Sequence, residues 1–210
     1  MKATRHPGRL IVLEGVDGSG KSTLQRLLAA KWRAQGWKVG QAREPADRSL
    51  GRDAQVAGVA DPWTSAMLFT LDRMIARPRL QRLLETNDLV LMDRSYFSTL
   101  AYQGSALPTS VRKRLALLQR RLNITPDRVV LLDLPARTAL LRLSRRGGKR
   151  APLERLRTLE RVARAYRAMA RPPRWLTVDA TGSPPQLVEL IDRRLRSWRG
   201  RPGPGRPPGT

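Results

Sequence analysis

The chain has 210 residues, 40% of them hydrophobic, which suits one domain with a sizeable core. It has no cysteine and a single histidine, His6, so disulfides, thiolate metal sites and multi-histidine metal sites are all excluded. Its 41 basic residues against 17 acidic give a net charge of +24, but only six of the 41 are lysine. The arginines are spread along the whole chain rather than gathered in one stripe, which weighs against nucleic acid as the partner and suits an enzyme whose substrates are phosphate anions.

Residues 1–9 read as a leader without the apolar region of a signal peptide, and no apolar run reaches the length of a membrane span. A cytoplasmic protein is the expectation. Five short apolar runs predict buried parallel strands at 10–13, 38–42, 89–92, 129–132 and 175–178, of which 38–42 is the weakest. Helical periodicity fills the gaps. It covers 22–35, closed by Gly36, and 63–85, bent or interrupted at Pro78. Further helices are expected at 110–122, 136–143, 153–169 and 184–198. Strands alternating with helices predict an α/β fold, a parallel sheet covered on both faces. The folded part spans 10–196. A basic, glycine-bearing connection at about 144–152 and a Pro/Gly/Arg tail at 197–210 fall outside that core, and the tail is expected to be disordered.

The stretch Gly15-Val16-Asp17-Gly18-Ser19-Gly20-Lys21-Ser22 fits G-x-x-x-x-G-K-[ST], and its context is right: a buried strand leads in and an amphipathic helix leads out. Glycines let successive amides turn inward around phosphate oxygens, and the helix N-terminus adds its positive end. Lys21 would reach the β and γ phosphates, and the Ser22 hydroxyl would ligate Mg²⁺. ATP or GTP, with Mg²⁺, is therefore the expected ligand of this loop. The strand at 89–92 runs into Asp93-Arg94, at the sheet end where ligands of open α/β folds bind. Asp93 could hold Mg²⁺ or its waters, and Arg94 could fork onto a phosphate. A kinase with a phosphorylated acceptor has a use for that second arginine. Asp133, ending the next strand, reads as a cap for the helix at 136.

Several further motifs stand in order: Arg43-Glu44-Pro45, Gly51-Arg52, Leu68-Phe69 through Asp72-Arg73, Asp93 through Gly104, Pro126-Asp127 and Leu132-Asp133-Leu134-Pro135. Together with Glu14 through Thr23 they resemble the thymidylate kinase family from about Leu10 to about Leu195. The resemblance implies a three-layer P-loop NTPase fold with sheet order 2-3-1-4-5, a short lid, transfer from ATP to dTMP in dTTP synthesis, and a homodimer. It implies that Gly15 through Thr23 bind ATP. It also implies that Asp17 meets the acceptor's 3′-hydroxyl and phosphate region and that Pro45 lines the thymine methyl. Phe69 would stack on the base while Arg73, four residues on, donates to a base oxygen. Tyr102 would close on the sugar's 2′ side and Arg94 would clamp the acceptor phosphate, with Glu44 and Thr99 completing the acceptor pocket. The phosphate loop carries Gly18 and Ser19 rather than an arginine, so the chain resembles members whose catalytic arginine lies in the lid. Arg146 leads, then Arg145, with Arg150 and Arg142 as alternatives. Two departures concern the acceptor: no glycine pair follows Arg43-Glu44-Pro45, and Thr99 stands where several members carry Asn or Ser. Alternative readings are a kinase for another nucleoside monophosphate, such as dUMP or dCMP, or for a small metabolite, and a basic nucleic-acid-binding P-loop protein.

Overall fold

The computed structural model describes residues 7–145 and 156–200. Five strands, β1 (Arg9–Glu14), β2 (Val39–Arg43), β3 (Leu89–Asp93), β4 (Arg128–Asp133) and β5 (Trp175–Asp179), form one parallel sheet in the order β2-β3-β1-β4-β5. Each predicted strand lies within a residue or two of its place. Alternation along the strands explains why helices lie on both sides. Leu10 and Val12 of β1 and Val90 and Met92 of β3 pack against Leu84 of α3 (Pro62–Thr86). Ile11, Leu13, Leu89 and Leu91 turn the other way, onto Leu24, Leu28 and Trp32 of α1 (Lys21–Ala34).

Two helices carried too little sequence signal. One is α2 (Arg48–Ala60), which has glycines at 51 and 58; its start is marked by Asp47, whose carboxylate accepts from the amides of Ser49 (2.7 Å) and Leu50 (2.9 Å). The other, α4 (Tyr96–Tyr102), is only seven residues long. The expected interruption at Pro78 does not occur: α3 runs unbroken through it. Pro78 and Met74, whose carbonyl loses its partner, are both exposed, so water can take that bond. The remaining helices are α5 (Thr109–Leu122), α6 (Ala136–Ser144), α7 (Leu156–Met169) and α8 (Pro184–Arg199).

Asp133 does not cap α6. Pro135 occupies the cap position without a side-chain bond, and Asp133 instead pairs with Arg167 of α7 at 2.9 Å. Two residues upstream of the cap, its carboxylate follows the strand toward the neighbouring helix. Of the expected lid, Ser144 ends α6 and Arg145 follows it, while Arg146 and Arg150 lie outside the described residues. Of the expected tail, residues 197–199 instead belong to α8, where Arg199 is buried against Asp192, and those beyond 200 lie outside the described residues. No helix among the described residues is long and apolar enough to cross a membrane.

Stacked cations tie the start of β1 and the end of α8 to the same tryptophans. Arg9 lies over the rings of Trp37 and Trp198, and Arg199 over Trp32 and Trp37. Asp192, fully buried, accepts from Arg199 (2.6 Å) and from the Trp32 indole (2.7 Å). Asp192→Ala leaves that guanidinium without its nearest carboxylate, so a loss of about 3 kcal/mol or more in urea unfolding is expected.

Candidate active site

Strand register assembles the site. Leu13 of β1 pairs with Asp93 of β3, and Asp93 pairs with Arg43 of β2, so the residues just beyond these strand ends meet on one edge. The phosphate loop leaves β1 there. Gly18 has φ +83, and a Cβ on it would sit 2.7 Å from the carbonyl oxygen of Ala139, so no side chain fits. Gly20, at the N-cap of α1, is also left-handed. Lys21 is buried, and its ammonium donates to the carbonyls of Gly15 (3.0 Å) and Val16 (2.9 Å) and to the Ser19 hydroxyl (3.4 Å). Burial, with Arg94 adding to it, pushes this ammonium down to about 8. Ser22 and Thr23 continue into the first turn of α1.

The Ser22 hydroxyl donates to Oδ2 of Asp93 at 2.5 Å, and Oδ1 of Asp93 is buried with no hydrogen-bond partner among the described residues. A carboxylate oxygen left open beside a hydroxyl fits a hard divalent cation held with ATP. No group of three or more His, Cys, Asp or Glu residues is placed for a metal among the described residues. Mg²⁺ held by one or two protein groups, water and phosphate needs no such group.

Arg94 has φ +70, the one non-glycine residue in the left-handed region among those described. Its guanidinium donates to Asp17 (2.5 Å) and to the Ser98 hydroxyl (3.0 Å), and lies 5.3 Å over the ring of Tyr102. The Tyr102 hydroxyl donates to Asp17 Oδ2 (2.8 Å) and accepts from the Asp17 amide (2.9 Å). Burial alone would raise the Asp17 carboxyl, but Arg94 and Lys21 outweigh it and hold it below its ordinary range.

All the predicted acceptor residues line one cavity: Asp17, Glu44, Pro45, Phe69, Arg73, Arg94, Thr99 and Tyr102. Arg73 is buried and held from several sides. It donates to Glu44 (3.0 Å), Thr99 (3.0 Å), Gln119 (2.9 Å) and Thr70 (3.3 Å). The loop carrying Glu44 and Pro45 is pinned by Asp72, whose carboxylate accepts from the amides of Ala46 and Asp47, both at 2.8 Å. Gly51 lets α2 close on it, because a Cβ there would lie 2.3 Å from Pro45. Gln55, Ser98 and Gln103 also face the cavity and were not singled out from sequence. Gln55 lies on the unforeseen α2, but Ser98 stands four residues after Arg94 inside a quoted motif, a spacing that could have found it. Arg142 and Arg145 lie at the end of α6, where Arg142 donates to the Thr181 carbonyl (3.3 Å).

Burial pushes the Glu44 carboxyl up to about 7 against the pull of Arg73. A raised carboxyl gains its proton as pH falls through that value, and Arg73 then loses a charged partner. The acceptor kcat/KM is therefore expected to fall below about pH 7. In Glu44→Gln that limb should vanish, leaving the acceptor phosphate's own ionisation near pH ~6.

A glycine-cornered phosphate loop beside a separate cavity lined by two guanidiniums, Arg73 and Arg94, is the arrangement of a P-loop kinase with a second substrate to bind. A family model, Thymidylate kinase, matches residues 13–191, and the chain belongs to that family. It is 38% identical over 192 residues to the thymidylate kinase of Thermomicrobium roseum, covering 85% of this chain and 89% of that protein. It is 35% identical over 207 residues to the thymidylate kinase of Leifsonia xyli, covering 91% and 96%. A probable thymidylate kinase of Saccharolobus solfataricus is 32% identical over 182 residues, covering 86% and 93%.

Proposed function

We propose that this chain transfers the γ-phosphoryl group of ATP to dTMP, giving dTDP and ADP, with Mg²⁺ bound alongside ATP, as a cytoplasmic homodimer serving dTTP synthesis. The observation that carries the reading is the aim of Arg94. Its guanidinium donates to the phosphate loop's Asp17 and lines a cavity that Phe69 and Arg73 line as well. A phosphate on that cavity's ligand would meet the fork of Arg94, and its ring would meet the phenyl group and the second guanidinium.

The acceptor's phosphate oxygen is already anionic, so the chain need supply no strong base. Its task is to hold two anions in line and offset their charge. Loop amides and Lys21 grip the donor phosphates, while Arg94 grips the acceptor. Arg146 of the lid is our choice for the cation that meets the moving phosphoryl group. Ser22 and Asp93 would hold Mg²⁺, which neutralises phosphate charge when bound. Pro45 lines the cavity where a thymine methyl would rest, and Tyr102 closes the side where a ribose 2′-hydroxyl would go. Val56 of α2 and Leu71, Met74 and Ile75 of α3 are exposed, and they support a homodimer through that face. Light scattering on the purified chain tests it.

The decisive assay is ADP release with ATP and Mg²⁺ against a panel of dTMP, dUMP, dCMP and UMP. The highest kcat/KM is expected with dTMP. A tenfold lead for any other acceptor would overturn the substrate assignment while leaving the kinase class intact.

A further inference from the structure

Glu14 ends β1 as a fully buried carboxylate, and no step above uses it. Ionised carboxylates survive burial only when their oxygens are occupied. Here Oε1 accepts from the Ser95 amide (2.8 Å) and the Ser95 hydroxyl (2.7 Å). Oε2 accepts from the hydroxyls of Ser98 (2.7 Å) and Tyr166 (2.8 Å). The Ser98 oxygen is the one that receives Nη1 of Arg94, and it lies 2.8 Å from the Tyr166 hydroxyl.

Two facts set this cluster apart from ordinary core polarity. Ser95 directly follows the left-handed Arg94, a conformation that costs an L-residue about 1 kcal/mol. The Arg94 amide donates to the Leu13 carbonyl (3.0 Å), fixing the entry to that turn, and Glu14 fixes its exit through Ser95. Tyr166, 1% exposed, belongs to α7, the helix that follows the lid segment in the chain.

We propose that Glu14 and Tyr166 are positioning residues that aim the Arg94 guanidinium at the acceptor phosphate and tie that aim to α7. The proposal depends on the reading of Arg94 as the acceptor clamp. Neither residue touches substrate. Glu14 holds the turn and accepts the proton of Ser98, one of the two side chains that receive the guanidinium, while the Tyr166 hydroxyl gives its one proton to the same Glu14 oxygen and closes Ser98 in from the α7 side. A shift of α7 withdraws that hydroxyl, leaves Ser98 on Glu14 alone, and loosens the seat of Arg94. The position of α7 is thereby felt at the acceptor.

The test is dTMP affinity by calorimetry on the full chain, for wild type, Tyr166→Phe, Ser98→Ala, Arg94→Ala and the double variant Tyr166→Phe/Arg94→Ala. Tyr166→Phe keeps the ring and removes one oxygen. It should weaken dTMP binding by about tenfold and lower the dTMP kcat/KM alike, with the KM for ATP moving less than about twofold. Ser98→Ala should reproduce this. With Arg94 already alanine, Tyr166→Phe should change dTMP affinity by less than about twofold, because the group it aims is gone. Equal weakening in both backgrounds, or a lowered Tm with dTMP affinity unchanged, overturns the proposal. If Arg94→Ala loses binding and Tyr166→Phe does not, the proposal falls and the clamp reading of Arg94 stands. If Arg94→Ala binds dTMP like wild type, the clamp reading falls and takes the proposal with it.

Discussion

Arg94→Ala is expected to lower kcat/KM for dTMP by about a thousandfold or more while leaving the affinity for ATP within about twofold. The guanidinium is already held by Asp17 and Ser98 and stacked on Tyr102, so little ordering remains to be done when the acceptor arrives. Its removal does two kinds of harm. The fork for the acceptor phosphate is gone, and the Asp17 carboxylate is left uncompensated beside an incoming dianion. Arg94→Lys restores one charge but not the planar fork, so it should recover only part of the loss. Arg94→Gly should fold more stably than Arg94→Ala, by about 1 kcal/mol, because glycine alone accepts φ +70 without strain. That residue 94 is arginine in spite of this strain is what a chemical role predicts. Steady-state kinetics, ATP calorimetry and urea unfolding on the three variants separate the effects. Normal turnover at low dTMP in Arg94→Ala would dismiss the acceptor reading.

Much of this was legible before any coordinates. Runs such as Leu10 through Leu13 and Val129 through Leu132 are apolar at every position, which only a strand buried on both faces requires. The phosphate loop was legible because its lysine and serine have no structural reason to stand at those offsets. The resemblance supplied the set of residues around the acceptor, and the fold brings them onto one cavity. What stayed hidden depends on side chains reaching across the sheet. Nothing local in Glu14 tells that its partners lie 81, 84 and 152 residues away. Gln119, which holds Arg73 from α5, looks in sequence like any polar residue of a basic helix. Helix α2 did not show in the periodicity, and the resemblance alone offered a helix start, at Gly51-Arg52; the cap at Asp47 begins it three residues earlier, and the contact between Gly51 and Pro45 seats it. At Pro78 the expected interruption did not follow, because the carbonyl that the proline orphans is exposed and can bond to water.

Lys21→Ala is expected to abolish measurable transfer, a loss of about a thousandfold or more, and to shrink the rise in Tm that ATP with Mg²⁺ produces. The ammonium donates to the carbonyls of Gly15 and Val16, holding the loop in its curve. To meet the phosphates of ATP it turns from them, and the charge it carries then matters most. Burial and Arg94 push its pKa down to about 8 in the free protein, so near pH 8 about half the molecules carry a neutral amine there. A polyanion arriving beside it favours the charged form and raises that pKa. ATP binding at pH 8 should thus take up as much as about half a proton at this site, and progressively less as pH falls toward 6, where Lys21 is already charged. Calorimetry in buffers of different ionisation enthalpy reads that uptake directly. It should be lost in Lys21→Ala, even under conditions where the variant still binds ATP through the loop amides. Proton uptake unchanged by the substitution would mean that another group titrates on binding and that Lys21 already carries its charge in the free protein.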